Sequence, residues 1–301
     1  MQIPRIGILE TSSPDPERLQ LWEAFRQRLG ALGHVEGRTV GFESRWAHGK
    51  PERLPGLAAE LVAMQVDVIV TAGTPAAFAA QRSTATIPVV MATGVSVGTG
   101  LDRLPGGDAG NVTGLSDLAP GLSKERLRLL GTMVPDALHF AVLWDRTNPS
   151  GPLSVQEFQD AAGKLGWSLQ VHGVMGLDAL PEALAAMRRE GAGGFIVVPS
   201  AMFFGDRKRL VALAKTHRLP AMYVRAEYAE AGGLMAYGAP IRDNYLRAAG
   251  YVDRILRGER PADLPVEQPT AFELVINLET ARSLGLAIPQ SMLAHARLVG
   301  G

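Results

Sequence analysis

The chain has 301 residues, 47% of them hydrophobic, which is enough apolar material for one large domain or two of ordinary size. Its 30 basic and 30 acidic residues are interspersed and cancel, and only 6% are aromatic, so no surface for nucleic acid is indicated. The absence of cysteine excludes disulfides, thiolate chemistry and Cys-ligated metals.

No apolar run is long enough to span a bilayer. The longest, residues 66–80, is interrupted by Asp67, Gly73 and Pro75. The first ten residues lack the apolar segment of a signal peptide and are typical of the approach to a strand. A cytoplasmic protein and the mature form of an exported one both fit this pattern.

The first 114 residues alternate short apolar runs with segments of helical periodicity, such as Leu19, Trp22, Phe25 and Leu29 before Gly30. The pattern predicts strands at 6–9, 39–42, 68–70, 88–91 and 111–114, and helices around 19–29, at 54–64 and after Pro75. Because the strands are almost continuously apolar, we expect a parallel sheet covered by helices on both faces.

A second series repeats the pattern, with strands at 140–143, 169–174, 195–198 and 220–222 and helices at 155–165, 180–189 and 210–217. A strand at 234–237, a helix at 241–256, a proline-rich tether, a strand at 272–276 and a terminal helix follow. We predict an α/β fold of two doubly wound parallel-sheet lobes with three crossovers, near Ser116, Ala239 and Leu264. Lobe one would comprise residues 1–116 and 240–264, and lobe two residues 117–239 and 265–301.

Small polar residues follow the predicted strands. Ligands bind at the carboxyl ends of strands in open α/β sheets. The candidate ligand-binding residues are therefore Ser12, Ser13, Thr74, Pro75, Ala76, Thr93, Ser116 and Asp117 in lobe one, and Trp144, Asp145, Asn148, Ser200 and Tyr223 in lobe two.

Two of these candidates have alternative interpretations. Thr74 suits a helix N-cap and Pro75 a first turn, so the N–H groups of Ala76 and Ala77 would hold an anionic group; the same motif also fits a capped helix without a ligand. Trp144 could cover an apolar ligand or simply pack.

Motifs for catalysis are missing. The chain has no HExxH pair, no Walker A loop and no GxGxxG, and the Gly114-Leu-Ser-Asp segment lacks the second glycine of a nucleophile elbow. The charged segment 206–209 is predicted to be a solvated face. We expect no catalysis, no metal and no organic cofactor.

Residues 263–289 (DLPVEQPTAFELVINLETARSLGLAIP) resemble the C-terminal signature of ABC transporter substrate-binding proteins, the family that includes the tryptophan/tyrosine-binding lipoproteins. Segments 110–114 (GNVTG), 143–149 (LWDRTNP), Phe203-Phe204 and 230–238 (EAGGLMAYG) also match, so the resemblance covers nearly the whole chain. It implies a type I periplasmic-binding-protein fold, permease and ATPase partners, and a periplasmic or extracytoplasmic, lipid-anchored location behind a signal peptide.

The resemblance also implies an aromatic amino acid between the lobes, with its carboxylate near Thr74–Ala77. Where the family has Asp-Pro after the fourth strand, this chain has Val95 and Ser96. If that Asp faces the α-ammonium, Asp117, Asp145 or Glu10 would have to replace it, because a buried ammonium without an anion is costly.

From these patterns we expect a monomeric solute-binding component of an ABC importer whose two lobes close on an amino acid or related carboxylate, aromatic ligands included. The alternatives are a sensing module of the same fold that serves a signalling or regulatory partner, and an enzyme on a two-lobed scaffold.

Overall fold

The computed structural model describes residues 3–94, 110–117 and 121–301. The chain divides into two compact units: unit 1 comprises Met1–Ala119 and Ile241–Pro269, and unit 2 comprises Pro120–Pro240 and Thr270–Gly301. The chain therefore passes between the units three times. Each unit is built on its own sheet, and the predicted fold class, two lobes with doubly wound parallel sheets, is confirmed.

Unit 1 begins with alternating strands and helices: β1 (Arg5–Glu10), α1 (Pro16–Ala31), β2 (Gly41–Trp46), α2 (Leu54–Ala63), β3 (Val68–Ala72), α3 (Thr74–Ser83), β4 (Val89–Thr93) and β5 (Val112–Gly114). The sheet has the order β2-β1-β3-β4-β5, and every pair of neighbouring strands is parallel. All five strands therefore end at the same edge.

The elements after β5 are α4 (Leu122–Met133), β6 (His139–Asp145), α5 (Gly151–Leu165), β7 (Ser168–Val174), α6 (Leu180–Arg189), β8 (Phe195–Val197), α7 (Ala201–Gly205), α8 (Arg207–Thr216), β9 (Ala221–Tyr223), α9 (Ala226–Glu230), β10 (Met235–Gly238), α10 (Ile241–Leu256), β11 (Glu273–Asn277), α11 (Leu278–Leu284), α12 (Gln290–Leu293) and β12 (Ala296–Val299). The sheet of unit 2 has the order β12-β11-β10-β9-β8-β6-β7. Among its described strands, only β10 and β11 pair antiparallel.

Helices cover both faces of the sheet of unit 1, as the continuously apolar strands require. On one face α1 and α10 bury Trp22, Phe25 and Tyr245 with residues of β1, β3 and β4. On the other face α2 and α3 pack through Leu61 and Ala76. Unit 1 thus depends on a helix that the chain supplies only after its second passage between the units.

Local chemistry explains where several elements begin and end. The carboxylate of Asp15 caps α1 by accepting the N–H of Arg18 at 2.9 Å, and Pro16 occupies the first turn. Gly166, with φ of 72°, ends α5. Gly114 has φ of 121°, and a Cβ there would lie 2.3 Å from the carbonyl oxygen of Met91. Glycine is therefore required where β5 approaches β4.

The single terminal helix predicted from the sequence is wrong. Gly285, with φ of 74°, ends α11, and Pro289 precedes the short α12. The last residues then form β12, which pairs parallel with β11. A four-residue strand carries too little periodicity to be separated from a helix by sequence alone.

Candidate functional site

Hydrogen bonds join the loops at the carboxyl edge of unit 1. The hydroxyl of Thr11 donates to the carbonyl of Ala72 at 2.9 Å, and the N–H of Gly73 donates to the carbonyl and hydroxyl oxygens of Thr93 at 3.0 and 3.1 Å. The N–H of Asp117 donates to the carbonyl of Gly94 at 2.6 Å. The structure therefore places the candidates of unit 1 along one edge: Ser12, Ser13, Thr74, Pro75, Ala76, Thr93, Ser116 and Asp117.

The start of α3 differs from the prediction. Gly73 is the N-cap residue and has no side chain to form a capping bond, and Thr74 occupies the first helical position. The N–H groups of Ala76 and Ala77 donate to the carbonyl of Gly73 at 3.1 and 3.2 Å, so a ligand anion at this position would have to compete with that carbonyl for them. Glycine takes the cap because its φ is 94°, and a Cβ there would lie 2.7 Å from the hydroxyl of Thr11.

A buried polar cluster lies beneath the loop after β1. Glu10 is 1% exposed, and its carboxylate accepts the N–H of Ser12 and the indole N–H of Trp22, both at 3.1 Å. Arg18 donates to the hydroxyl of Tyr245 at 3.3 Å. Burial lowers the pKa of Arg18, but the nearby Glu10, Tyr245 and Asp15 outweigh it and raise the pKa above its usual range. The guanidinium therefore stays charged inside the unit.

Ser12 presents a hydroxyl to this edge. The residue is 4% exposed, and its Oγ makes no hydrogen bond within the described ranges 3–94, 110–117 and 121–301. A buried polar atom without a partner costs stability. Such an atom at the carboxyl end of a strand indicates a position where a ligand supplies the bond. Ser13 beside it is exposed to solvent.

The loop after β5 is fixed by residues from later in the chain. The N–H of Ser116 donates to the carbonyl of Glu267 at 2.8 Å, and the N–H of Glu267 donates back to Gly114 at 2.9 Å. The carboxylate of Asp117 accepts the side-chain amide of Asn244, on α10, at 3.1 Å. Residues distant in sequence thus set the position of two predicted candidates.

Three candidates of unit 2 lie together at the carboxyl edge of its sheet. Asp145, 4% exposed, accepts the N–H and hydroxyl of Thr147 at 2.8 and 2.6 Å and the hydroxyl of Ser200 at 2.7 Å. Ser200 in turn caps α7 by accepting the N–H groups of Met202 and Phe203. The side-chain amide of Asn148 donates to the carbonyl of Pro199 at 2.9 Å. Side-chain bonds therefore connect the ends of β6 and β8.

The other two candidates of unit 2 pack against its core, Trp144 half-buried and Tyr223 fully buried. The ring of Trp144 fills space that Gly151 and Gly173 leave open; a Cβ at these positions would lie 2.4 and 2.7 Å from it. Tyr223 is fully buried and stacks on Tyr228 with ring centroids 4.6 Å apart, and burial raises the pKa of its phenol. For Trp144 the structure favours the packing interpretation. The hydroxyl of Tyr223 is buried and has no hydrogen-bond partner among the described residues, so Tyr223 stays a candidate.

Sequence reasoning missed the buried cations. Segment 206–209 is not simply a solvated face, since Arg207 is 9% exposed and lies over the ring of Phe204. Arg18 and Arg126 are also buried. Arg18 stands four residues before Trp22, on the apolar face of α1, and this spacing is the signal that could have revealed it. Among the described residues, no group of His, Asp and Glu is placed to hold a metal ion.

Two parallel-sheet units with polar loops at their carboxyl edges define a periplasmic-binding-protein-like solute receptor. The chain belongs to the family of ABC transporter substrate-binding proteins, whose family model matches residues 7–299. Proteins of this family bind small molecules outside the cytoplasm and work with a membrane permease and an ATPase. No helix in the described part of this chain is long and apolar enough to cross a membrane.

Comparison with individual proteins gives the same class. A tyrosine-binding protein of Clostridioides difficile is 24% identical over 268 residues, covering 88% of this chain and 76% of that protein. A conserved domain protein from Vibrio cholerae has a TM-score of 0.90 at 25% identity, with 99% of both chains covered. The ABC domain from Streptococcus pneumonia, in complex with L-Trp, has a TM-score of 0.90 at 24% identity and covers 99% of this chain and 100% of its own. Val95 and Ser96, where this sequence departs from the family pattern, lie outside the described residues.

Proposed function

We propose that this importer component binds an amino acid or a related small carboxylate, aromatic ligands included, and releases it chemically unchanged. The proposal is supported by the buried hydroxyl of Ser12 among the polar loops of unit 1, which has no hydrogen-bond partner in the described part of the chain. A tyrosine-binding relative and a tryptophan-bound structural neighbour support the choice of solute class. We also propose that the protein is monomeric and needs neither metal nor organic cofactor.

The ligand contacts belong to the same proposal. We assign them to Ser12, Thr74, Thr93 and the Ser116–Asp117 loop in unit 1, and to Asp145, Asn148 and Ser200 in unit 2. Thr74 would contribute its hydroxyl and the N-terminal dipole of α3 rather than the N–H groups of the next turn.

A thermal-shift screen with amino acids and organic acids tests the proposal. A ligand present at a hundred times its Kd stabilises the folded protein by about 2.7 kcal/mol. At about 2.1 cal/mol/K of unfolding entropy per residue, this corresponds to about 4 °C in Tm for a protein of this size. If no member of the screen raises Tm, the proposed solute class is wrong. Recovery of a chemically altered compound would instead point to an enzyme.

Ser12→Ala tests the site itself. Removal of a hydroxyl that has no partner among the described residues should leave the Tm of the free protein unchanged or slightly raised, whereas affinity should fall. Thr71→Val is the matched control, because the hydroxyl of Thr71 is also buried and unpartnered within the described residues but lies inside β3. Equal affinities for the two variants would remove Ser12 from the site.

A further inference from the structure

The edge strand of the sheet of unit 1 is bound by a segment from much later in the chain. Strand β5 lies at the end of the order β2-β1-β3-β4-β5, and a segment that ends in Glu267 runs along its outer side. The hydroxyl of Thr113 donates to the carbonyl of Leu264 at 2.7 Å. The N–H of Glu267 donates to the carbonyl of Gly114 at 2.9 Å, and its own carbonyl accepts the N–H of Ser116 at 2.8 Å. The segment therefore extends the sheet as far as Ser116, a candidate ligand-binding residue.

The side chain of Glu267 is held by α10. Its carboxylate pairs with Arg247 and accepts the hydroxyl of Tyr251 at 2.7 Å. The same hydroxyl lies 2.6 Å from the carbonyl of Pro265, so one phenol is shared by two positions of the segment. Tyr251 is 4% exposed, and burial raises the pKa of its phenol despite the nearby charges of Arg247 and Arg254. The hydroxyl therefore keeps its proton and remains a donor.

Helix α10 also holds the loop after β5 directly. The side-chain amide of Asn244, which is 3% exposed, donates to the carboxylate of Asp117 at 3.1 Å. Asn244, Arg247 and Tyr251 stand three and four positions apart, a spacing that places them on one face of the helix. This face reaches the loop by two routes, directly through Asn244 and through the segment that ends in Glu267.

These contacts are better suited to fixing a position than to stabilising the fold. The side chains of Arg247 and Glu267 are 34% and 40% exposed, and an ion pair this accessible contributes little to global stability. Ser116, by contrast, is fully buried, and its N–H is bonded to Glu267. A solute that meets an already ordered loop loses less free energy to conformational entropy on binding.

We propose that Glu267 is a positioning residue for solute binding, which keeps the Ser116–Asp117 loop in its binding geometry without touching the solute. This inference rests on the proposed function, in which the loop contacts the solute. It extends that function to the face of α10 that holds the Glu267 carboxylate.

Glu267→Ala removes both side-chain bonds and tests the proposal through two measurements. The Kd should rise by about three- to ten-fold, because it increases as the inverse of the fraction of molecules whose loop is in place. The N–H of Ser116 is protected only while it is bonded to Glu267, so its hydrogen exchange in the free protein should accelerate by at least the same factor. Tm should change by less than about 2 °C. Glu267→Gln, which can still accept the hydroxyl of Tyr251, should give intermediate changes.

The probes for calorimetric titration are L-tryptophan, L-tyrosine and 3-(4-hydroxyphenyl)propanoate. Glu259→Ala is the matched control, because the carboxylate of Glu259 is also bound by an arginine of α10, Arg254, at 2.7 Å. Its printed partner lies outside the Ser116–Asp117 loop, so this variant should leave both the Kd and the exchange of Ser116 unchanged.

Equal exchange rates at Ser116 in Glu267→Ala and Glu259→Ala would overturn the proposal. Weaker binding without faster exchange would make Glu267 a direct contact of the solute, and faster exchange with an unchanged Kd would remove it from solute binding; either result also overturns the proposal. If no probe binds the unaltered protein, the proposed solute class is wrong, and the exchange rates still decide whether Glu267 holds the loop. Should Glu267→Ala misfold, Tyr251→Phe removes one of the same bonds and takes its place in both measurements.

Discussion

The bond between Asp145 and Ser200 should couple two strand ends measurably. The Ser200 hydroxyl donates to a buried carboxylate and also caps α7. Ser200→Ala should therefore cost about 1.5–3 kcal/mol for the bond to the charged group, and about 0.5–2 kcal/mol for the cap. Asp145→Asn preserves the shape but loses the charge-assisted bond, so we expect a smaller loss of about 1–3 kcal/mol.

Urea unfolding of the two single variants and the double variant gives the coupling energy. Because both changes remove the same bond, the double variant should be more stable than the sum of the single losses predicts, by about 1.5–3 kcal/mol. Each kcal/mol corresponds to about 1.6 °C in Tm for a protein of this size. Additivity within about 0.5 kcal/mol would show that the bond contributes nothing and that the reasoning is wrong.

Three further outcomes are expected. Gly114→Ala should cost about 2–6 kcal/mol in urea unfolding, because it strains φ and drives Cβ into the backbone of Met91; a loss below about 1 kcal/mol would contradict the required approach of β5 to β4. Burial holds the pKa of His172 below its usual value, against the opposing charge of Glu190. The stability that its neutral form provides is thus complete above the unfolded-state pKa of about 6.5 and falls as pH drops toward the lower folded-state pKa. His172→Gln should flatten this decline in the urea midpoint, and an unchanged slope would assign it to other groups. Exhaustive dialysis against a chelator should leave the ligand Kd unchanged, whereas a stoichiometric metal that restores lost binding would refute this.

Elements with strong periodicity could be predicted from the sequence, while side-chain directions at the site could not. Helices α6 and α10 have the predicted bounds, because proline, glycine and apolar periodicity mark them locally. The continuously apolar strands likewise predicted a sheet covered on both faces. The polar loops after the strands were therefore placed correctly at the carboxyl edges.

The features that could not be predicted from the sequence depend on residues that are distant along the chain. Arg18 can be buried only because Glu10 and Tyr245 surround its charge, and Tyr245 follows it by 227 positions. Trp144 turns inward because two glycines leave room for its ring. Strand β11 pairs antiparallel with β10, an orientation that depends on the strands beside it rather than on its own residues.

The face of α1 that carries Trp22 and Phe25 is covered by α10, which leaves the ribosome more than two hundred residues later. Chain synthesis proceeds at about 5–20 residues per second, so this apolar face stays exposed for on the order of 10–50 s before α10 is made. The sheet of unit 2 is also completed late, since β11 and β12 are the last strands to be synthesised. Neither unit can be excised as a continuous fragment, and a nascent chain released after β5 would expose Trp22 to solvent and aggregate.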